Sequence, residues 1–207
     1  MIETIIFDFG NVIAQFSHQN ICKGLAQYSG YSSEELFEII FKIIYYQDPL
    51  EKLFDEGRLT PKEFFQEVKR KANLKIGYKK FREIWQDIFW LNEPMVEALK
   101  ELKRREYKLV LLSNTNKLHF EWAYSQFEIL KIFDDFVLSF EKGYRKPDKR
   151  MWRGFGKESI FIDDVEENCR AAEEAGIKKA FLYQAERHKE FASDLFSFLE
   201  KDTNKMA

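Results

Sequence analysis

Apolar residues fall along this chain in two rhythms. Five short runs, Thr4–Phe7, Lys108–Leu112, Phe136–Ser139, Ser159–Ile162 and Lys179–Tyr183, hold apolar side chains at successive positions with little polar alternation. A strand that is apolar on both faces is most simply one buried in a parallel sheet with helices over either side. The segments between them follow the helical period. Pro94 stands in a first turn, and Met95, Val96, Leu99 and Leu102 form one apolar stripe behind it. A second helical pattern runs from about Asn116 through Leu130 and a third from Val165 to Ala175, with Gly176 where a left-handed C-cap is expected. Strands alternating with helices predict an α/β fold, a Rossmann-like parallel sheet covered on both faces.

The segment from Gln15 to Leu91 breaks that alternation. It shows no convincing strand but several amphipathic helical patterns, among them Ser33–Tyr46, Pro61–Ala72 and Tyr78–Phe89. Ser32 or Ser33 suits the N-cap of the first, and Thr60-Pro61 followed by Glu63 opens the second. Breaks fall at Gly30, Asp48-Pro49, Gly57 and Gly77. A helical block inserted after the first strand predicts a cap subdomain over residues 15–91, on a catalytic core made of 1–14 and 92–206. Tyr45, Tyr46, Trp85 and Trp90 are expected to fill the core of that cap.

Composition narrows the partners. The 33 basic and 35 acidic residues nearly cancel, for a formal charge of −2. With no basic excess, nucleic acid is not an expected partner. The longest apolar stretches are strand-sized and interrupted by charge, so no membrane span is expected, and no signal peptide precedes the first strand. Cys22 and Cys169 lie far apart with neither metal-ligand nor disulfide spacing, which fits a reducing cytoplasm.

The candidate chemistry lies where the strands end. Asp8 closes the run Ile5-Ile6-Phe7 and is followed at once by Phe9-Gly10-Asn11-Val12. Ser113 and Asn114 close the second run, Asp163 and Asp164 the fourth, and Lys146 follows the third after a loop containing Gly143. Ligands of open α/β sheets collect at the carboxyl ends of the strands. Three carboxylates, a hydroxyl, an amide and an ammonium would gather there, a set that suits Mg²⁺ with a phosphate group. Adjacent carboxylates at a buried strand end also repel one another unless a cation or lysine offsets them. His18, His119 and His188 lack metal-ligand spacing and are expected to be structural or exposed, with His18 singled out because it lies close to the Asp8 loop.

Four ordered segments, Asp8-Phe9-Gly10-Asn11-Val12, Leu112-Ser113-Asn114, Arg145-Lys146-Pro147-Asp148 and Phe161-Ile162-Asp163-Asp164, resemble the motifs of the haloacid dehalogenase superfamily. The inserted block is similar to that family's helical cap of the first class, and the resemblance covers nearly the whole chain. Leu112-Ser113-Asn114-Thr115-Asn116 further resembles the small-molecule phosphatase branch that includes sugar-1-phosphate phosphatases.

The resemblance implies a Mg²⁺-dependent phosphatase of small phosphorylated metabolites. Asp8 would be the nucleophile that forms an aspartyl-phosphate. Mg²⁺ would be held by the Asp8 carboxylate, the Gly10 carbonyl and Asp164, with Asp163 in support. Ser113 and the Asn114 amide would hold phosphate oxygens, and Lys146 would offset charge. Asn168 would orient an acid or a metal-bound water. Alternatives on the same scaffold are a 2-haloacid dehalogenase-type hydrolase, which usually has an aromatic where Gly10 stands, and a non-catalytic phosphometabolite-binding protein.

Two departures from the family pattern carry expectations. Most phosphatases of the family have an acid/base Asp where Gly10 stands, so here a substitute is needed, for which His18 is the candidate. The stretch from Asp148 to Ile160 is short for the helix usually found there, and Arg153-Gly154-Phe155-Gly156 is a poor helix sequence.

Overall fold

In the computed structural model, which describes residues 1–42 and 49–204, the chain begins with strand β1 (Thr4–Phe7) and a short strand β2 (Ala14–Phe16). Five helices follow: α1 (His18–Ala26), α2 (Ser33–Phe41), α3 (Leu50–Asp55), α4 (Pro61–Lys71) and α5 (Tyr78–Gln86). The chain returns through β3 (Phe89–Leu91) and then alternates: α6 (Glu93–Arg104), β4 (Lys108–Ser113), α7 (Lys117–Gln126), β5 (Asp135–Leu138), α8 (Ser139–Lys142), β6 (Ser159–Asp163), α9 (Glu166–Glu174), β7 (Lys179–Leu182) and α10 (His188–Asn204).

The five longer strands form one parallel sheet in the order β5-β4-β1-β6-β7, with Thr4 paired to both Lys108 and Ser159. Its two faces explain the unbroken apolar runs. Ile5 and Phe7 of β1 point into a core shared with Met95, Leu99 and Leu102 of α6 and Leu195 and Leu199 of α10. Ile6 points the other way, among Val110, Phe161, Trp152 and Ala172. Both sets are essentially removed from water, so the three positions between Thr4 and Asp8 have no room for a polar side chain.

The inserted helices have a core of their own. Phe54 stacks on Phe64 at 4.3 Å, Phe64 meets Trp85 edge-on at 4.6 Å, and Ile21, Leu25, Leu36 and Val68 close around them. Ser32 and Thr60 both build capping boxes, with Glu35 and Glu63, so the expected helix starts fall where the hydrogen bonds are. Gly57, at φ 66°, lets this block meet the core closely: a Cβ there would stand 2.1 Å from the Phe140 carbonyl oxygen. No helix among the described residues is long and apolar enough to cross a membrane.

Several expectations are corrected. The inserted segment does contain a strand: β2 and β3 pair antiparallel, Ala14 with Leu91 and Phe16 with Phe89, where the chain leaves and re-enters the core. Three residues are too few for a period to register, and Phe89 reads as one more turn of the helix before it. That helix ends at Gln86, and Trp90, on β3, is 51% exposed rather than cap core. Trp85 is fully buried as expected, whereas Tyr45 and Tyr46 lie outside the described residues, as does the end of the pattern Ser33–Tyr46, of which α2 ends at Phe41. The pattern from Asn116 to Leu130 splits, because Phe127 is extended and Glu128–Ile132 forms a separate 3₁₀ helix. Ser139 leaves β5 and opens α8. Only a 3₁₀ turn, Lys149–Trp152, stands in the short stretch before β6, followed by Gly154 with φ 95°.

Candidate active site

The carboxyl edge of the sheet and the inserted helices enclose one cavity of about 250 Å³. Asp8 reaches it from the end of β1, where its amide still donates to the Ile162 carbonyl at 2.9 Å and keeps the residue in line with the sheet. The chain then turns tightly: Asn11 takes φ 55°, a left-handed conformation that Asn tolerates better than most residues, and the Ala14 amide closes back on the Phe9 carbonyl at 3.0 Å. The turn aims Asn11 Nδ2 at Asp164 Oδ2, 2.9 Å away.

Lys146 is the hub. Its ammonium lies 2.7 Å from Asp8 Oδ1, 2.6 Å from Asp163 Oδ2 and 3.3 Å from the Leu112 carbonyl, and the residue is almost wholly buried. Asn114 fixes the loop that carries it, accepting from the Lys146 amide at 2.7 Å and donating to its carbonyl at 3.1 Å. Asp163 is fully buried, yet its oxygens are well supplied: Asn168 Nδ2 donates to both, at 3.0 and 3.2 Å, and the Val165 amide donates to Oδ1 at 2.8 Å. Asn168 therefore orients the Asp163 carboxylate. Ser113 lines the cavity from the end of β4, its hydroxyl without a protein partner among the described residues.

The electrostatics follow from burial. Asp8 is pushed up to about 7, chiefly by loss of water, with Asp163 adding repulsion and Lys146 holding it back. Asp164 is also raised, by burial and by Asp163, against its hydrogen bond from Asn11. Burial alone would discharge Lys146, but Asp8 and Asp163 raise it above an ordinary lysine. Carboxylate oxygens of Asp8, Asp163 and Asp164 lie within 4.8 Å of one another. Three carboxylates against one ammonium leave an excess of two negative charges, and the donors are all oxygen, so the cluster fits a hard divalent cation such as Mg²⁺.

The other wall brings residues not foreseen as part of the site together with His18, which was singled out from the sequence. Phe16 and His18 come from β2 and the start of α1, Glu51 and Asp55 from α3, and Arg145 from the loop before Lys146. His18 Nε2 lies 2.9 Å from Glu51 Oε1. Asp55 accepts from Asn116 Nδ2 at 3.1 Å and faces Arg145 at 3.5 Å. His119 also borders the cavity, but it is structural, as expected: Nε2 donates to the Trp85 carbonyl at 2.9 Å and Nδ1 accepts from Asn116 at 3.1 Å. Burial lowers its pKa to about 4, so the ring is neutral. His188 lies outside this cavity, against Tyr183.

Gly10 has a steric role as well as a missing carboxyl. A Cβ built there would stand 2.8 Å from Phe16 Cε1, and that ring is packed between His18 at 4.9 Å and Phe89 at 6.0 Å. Gly10→Asp should therefore displace Phe16 and destabilise the fold by about 1–3 kcal/mol, the usual cost of overpacking. Urea unfolding measures it, and an unchanged midpoint would show that the ring moves freely.

Residues 2–176 match the haloacid dehalogenase-like hydrolase family. A D-ribitol-5-phosphate phosphatase of Bacteroides thetaiotaomicron is 24% identical over 193 residues, covering 86% of this chain and 90% of that protein. Among solved structures, a haloacid dehalogenase-family enzyme of the same organism, in complex with magnesium and inorganic phosphate, superposes with a TM-score of 0.76. It is 25% identical, over 89% of this chain and 96% of its own. The L-2-haloacid dehalogenase of Xanthobacter autotrophicus shares the fold at a TM-score of 0.57 and 13% identity, over 86% and 76% of the two chains.

Proposed function

The chain belongs to the haloacid dehalogenase-like hydrolases, and from that premise we propose that it is a Mg²⁺-dependent phosphatase of small phosphate monoesters, with phosphorylated sugars or polyols as the substrate class. The observation that carries this reading is Lys146 held between Asp8 and Asp163 beside Asp164, at the edge of a cavity of about 250 Å³. That volume suits a small metabolite and excludes a folded partner. The substrate class rests on the likeness to the ribitol-phosphate phosphatase.

Asp8 attacks phosphorus, and the ester oxygen leaves with its bonding electrons, giving an aspartyl-phosphate that water then hydrolyses. The Ser113 hydroxyl and the Asn114 amide bind the phosphate oxygens, and Lys146 favours the ionised form of Asp8 and neutralises the transferring group. Asp8, the Gly10 carbonyl and Asp164 would hold Mg²⁺, while Asp163, saturated by Lys146, Asn168 and Val165, steadies the lysine beside it. When bound, the cation supplies positive charge next to the phosphate. Residues 15–91 act as the cap, closing the cavity from the side of His18, Glu51 and Asp55.

Release of phosphate from 4-nitrophenyl phosphate with Mg²⁺, and its loss with EDTA, tests the reading, and a panel of sugar and polyol phosphates then ranks substrates. Binding of these compounds without turnover would favour the non-catalytic alternative.

Mg²⁺ should also raise the melting temperature, and Asp164→Ala should remove most of the rise. A ligand specific to the folded state stabilises it by ~2.7 kcal/mol at a hundredfold excess over its dissociation constant. A shift reproduced by Na⁺ at equal ionic strength would instead be surface screening.

A further inference from the structure

A phosphate monoester with a poor leaving group needs a proton on the departing oxygen, and the core side of the cavity offers none to spare. Gly10 has no side chain, and the Phe16 ring fills the space a side chain would take. Lys146 is engaged by Asp8, Asp163 and the Leu112 carbonyl. On the facing wall, Arg145 carries a guanidinium that does not give up its proton, and it lies against Asp55. Asp55 meets a donor at each oxygen, Asn116 at one and Arg145 at the other. His119 uses both ring nitrogens in buried hydrogen bonds.

His18 is different. Its ring is clamped between Phe41, stacked at 4.3 Å, and Phe16, at 4.9 Å. Nε2 is anchored to Glu51, Nδ1 has no hydrogen-bond partner among the described residues, and the side chain is about one-quarter exposed where it borders the cavity. We propose that His18, oriented by Glu51, is the acid that protonates the leaving oxygen and the base that later accepts a proton from water.

This assignment rests on the phosphatase reading above. In the first half-reaction Asp8 Oδ bonds to phosphorus and the phosphorus–oxygen ester bond breaks. The leaving oxygen keeps that electron pair, takes a proton from the His18 imidazolium and departs as the alcohol. In the second, water bonds to phosphorus, the Asp8 oxygen regains its pair, and the water proton returns to His18. Both half-reactions balance with no other reactant. A carboxylate on one ring nitrogen holds the imidazole in place. Burial opposes ionisation of Glu51, but its hydrogen bond from His18, with the charge of Arg145, keeps it below an ordinary glutamate. Among the described residues, the titratable and charged groups on the same wall of the cavity as His18 are Glu51 and Asp55 from α3, His119 from α7 and Arg145 from the loop before Lys146.

The test compares kcat/KM, which reports events up to the phosphoryl-enzyme, for glycerol 3-phosphate and 4-nitrophenyl phosphate. His18→Gln should lose ~10²–10⁴-fold on the alkyl ester, the usual worth of general-acid help, and far less on the aryl ester, whose oxyanion leaves unaided. The basic limb of the alkyl pH profile should vanish with it. Glu51→Gln, which keeps the imidazole but weakens its anchor, should lower kcat/KM more on the alkyl ester than on the aryl ester. Equal losses on the two esters, or an unchanged limb, would overturn the proposal while leaving the phosphatase reading intact. No Mg²⁺-dependent release from either ester by the wild-type protein would overturn both.

Discussion

Asp8→Asn should abolish turnover and leave the fold standing. An amide is a poor nucleophile towards phosphorus, so a loss of at least ~10⁴-fold in kcat is expected, in line with removal of nucleophiles in other covalent hydrolases. The fold should survive because Lys146 keeps Asp163 at 2.6 Å and the Leu112 carbonyl at 3.3 Å. Stability without metal should even rise slightly, since one of three crowded carboxylates is gone. Phosphate release and thermal melting on the same preparation check both halves. Substantial activity in a well-folded Asp8→Asn protein would exclude the covalent route.

The largest effect on stability is expected from Lys146→Met. The methionine fills similar volume, but Asp8 and the fully buried Asp163 lose their shared counter-charge. Breaking a buried ion pair by removing one partner typically costs ~3–5 kcal/mol. The pH dependence has a definite sign. Asp8 is already raised from 3.8 to about 7 beside the lysine, and deleting the lysine raises it further. Across that interval the folded state binds more protons than the unfolded one, so stability falls as pH rises. The deficit of the variant should therefore be smaller at acid pH and largest above neutrality, measured by denaturant unfolding in EDTA. A small, pH-independent deficit would mean that water, rather than Lys146, solvates these carboxylates.

The strands of the parallel sheet were legible because burial on both faces writes an uninterrupted apolar run, and the residues at their carboxyl ends had nowhere to go but one edge. Asp8, Ser113, Asn114, Lys146, Asp163 and Asp164 meet there for that reason. Of the facing wall only His18 was legible. Glu51 and Asp55 lie on a six-residue helix whose polar positions look like any solvated face, and only packing of that helix against α2, α4 and α8 turns them towards the cavity. Asn11 stood inside a recognised motif, but its grip on Asp164 depends on a left-handed turn that no propensity specifies. The ribbon of β2 and β3 escaped because strands of three residues carry no usable period.

Strand β1 is made first and sits in the middle of the sheet, between β4 and β6, pairing Thr4 with Lys108 and Ser159. During synthesis it must therefore wait, apolar on both faces, until each neighbour has emerged. The helical block between β1 and β4 is less constrained, since apart from Leu118 its buried cluster is drawn from residues between Ile21 and Ile88, all made before β4. The insertion is therefore expected to consolidate before the sheet that it interrupts. The stretch Ile5-Ile6-Phe7 is meanwhile the segment most exposed to wrong pairing, and the one a chaperone would have most reason to shield.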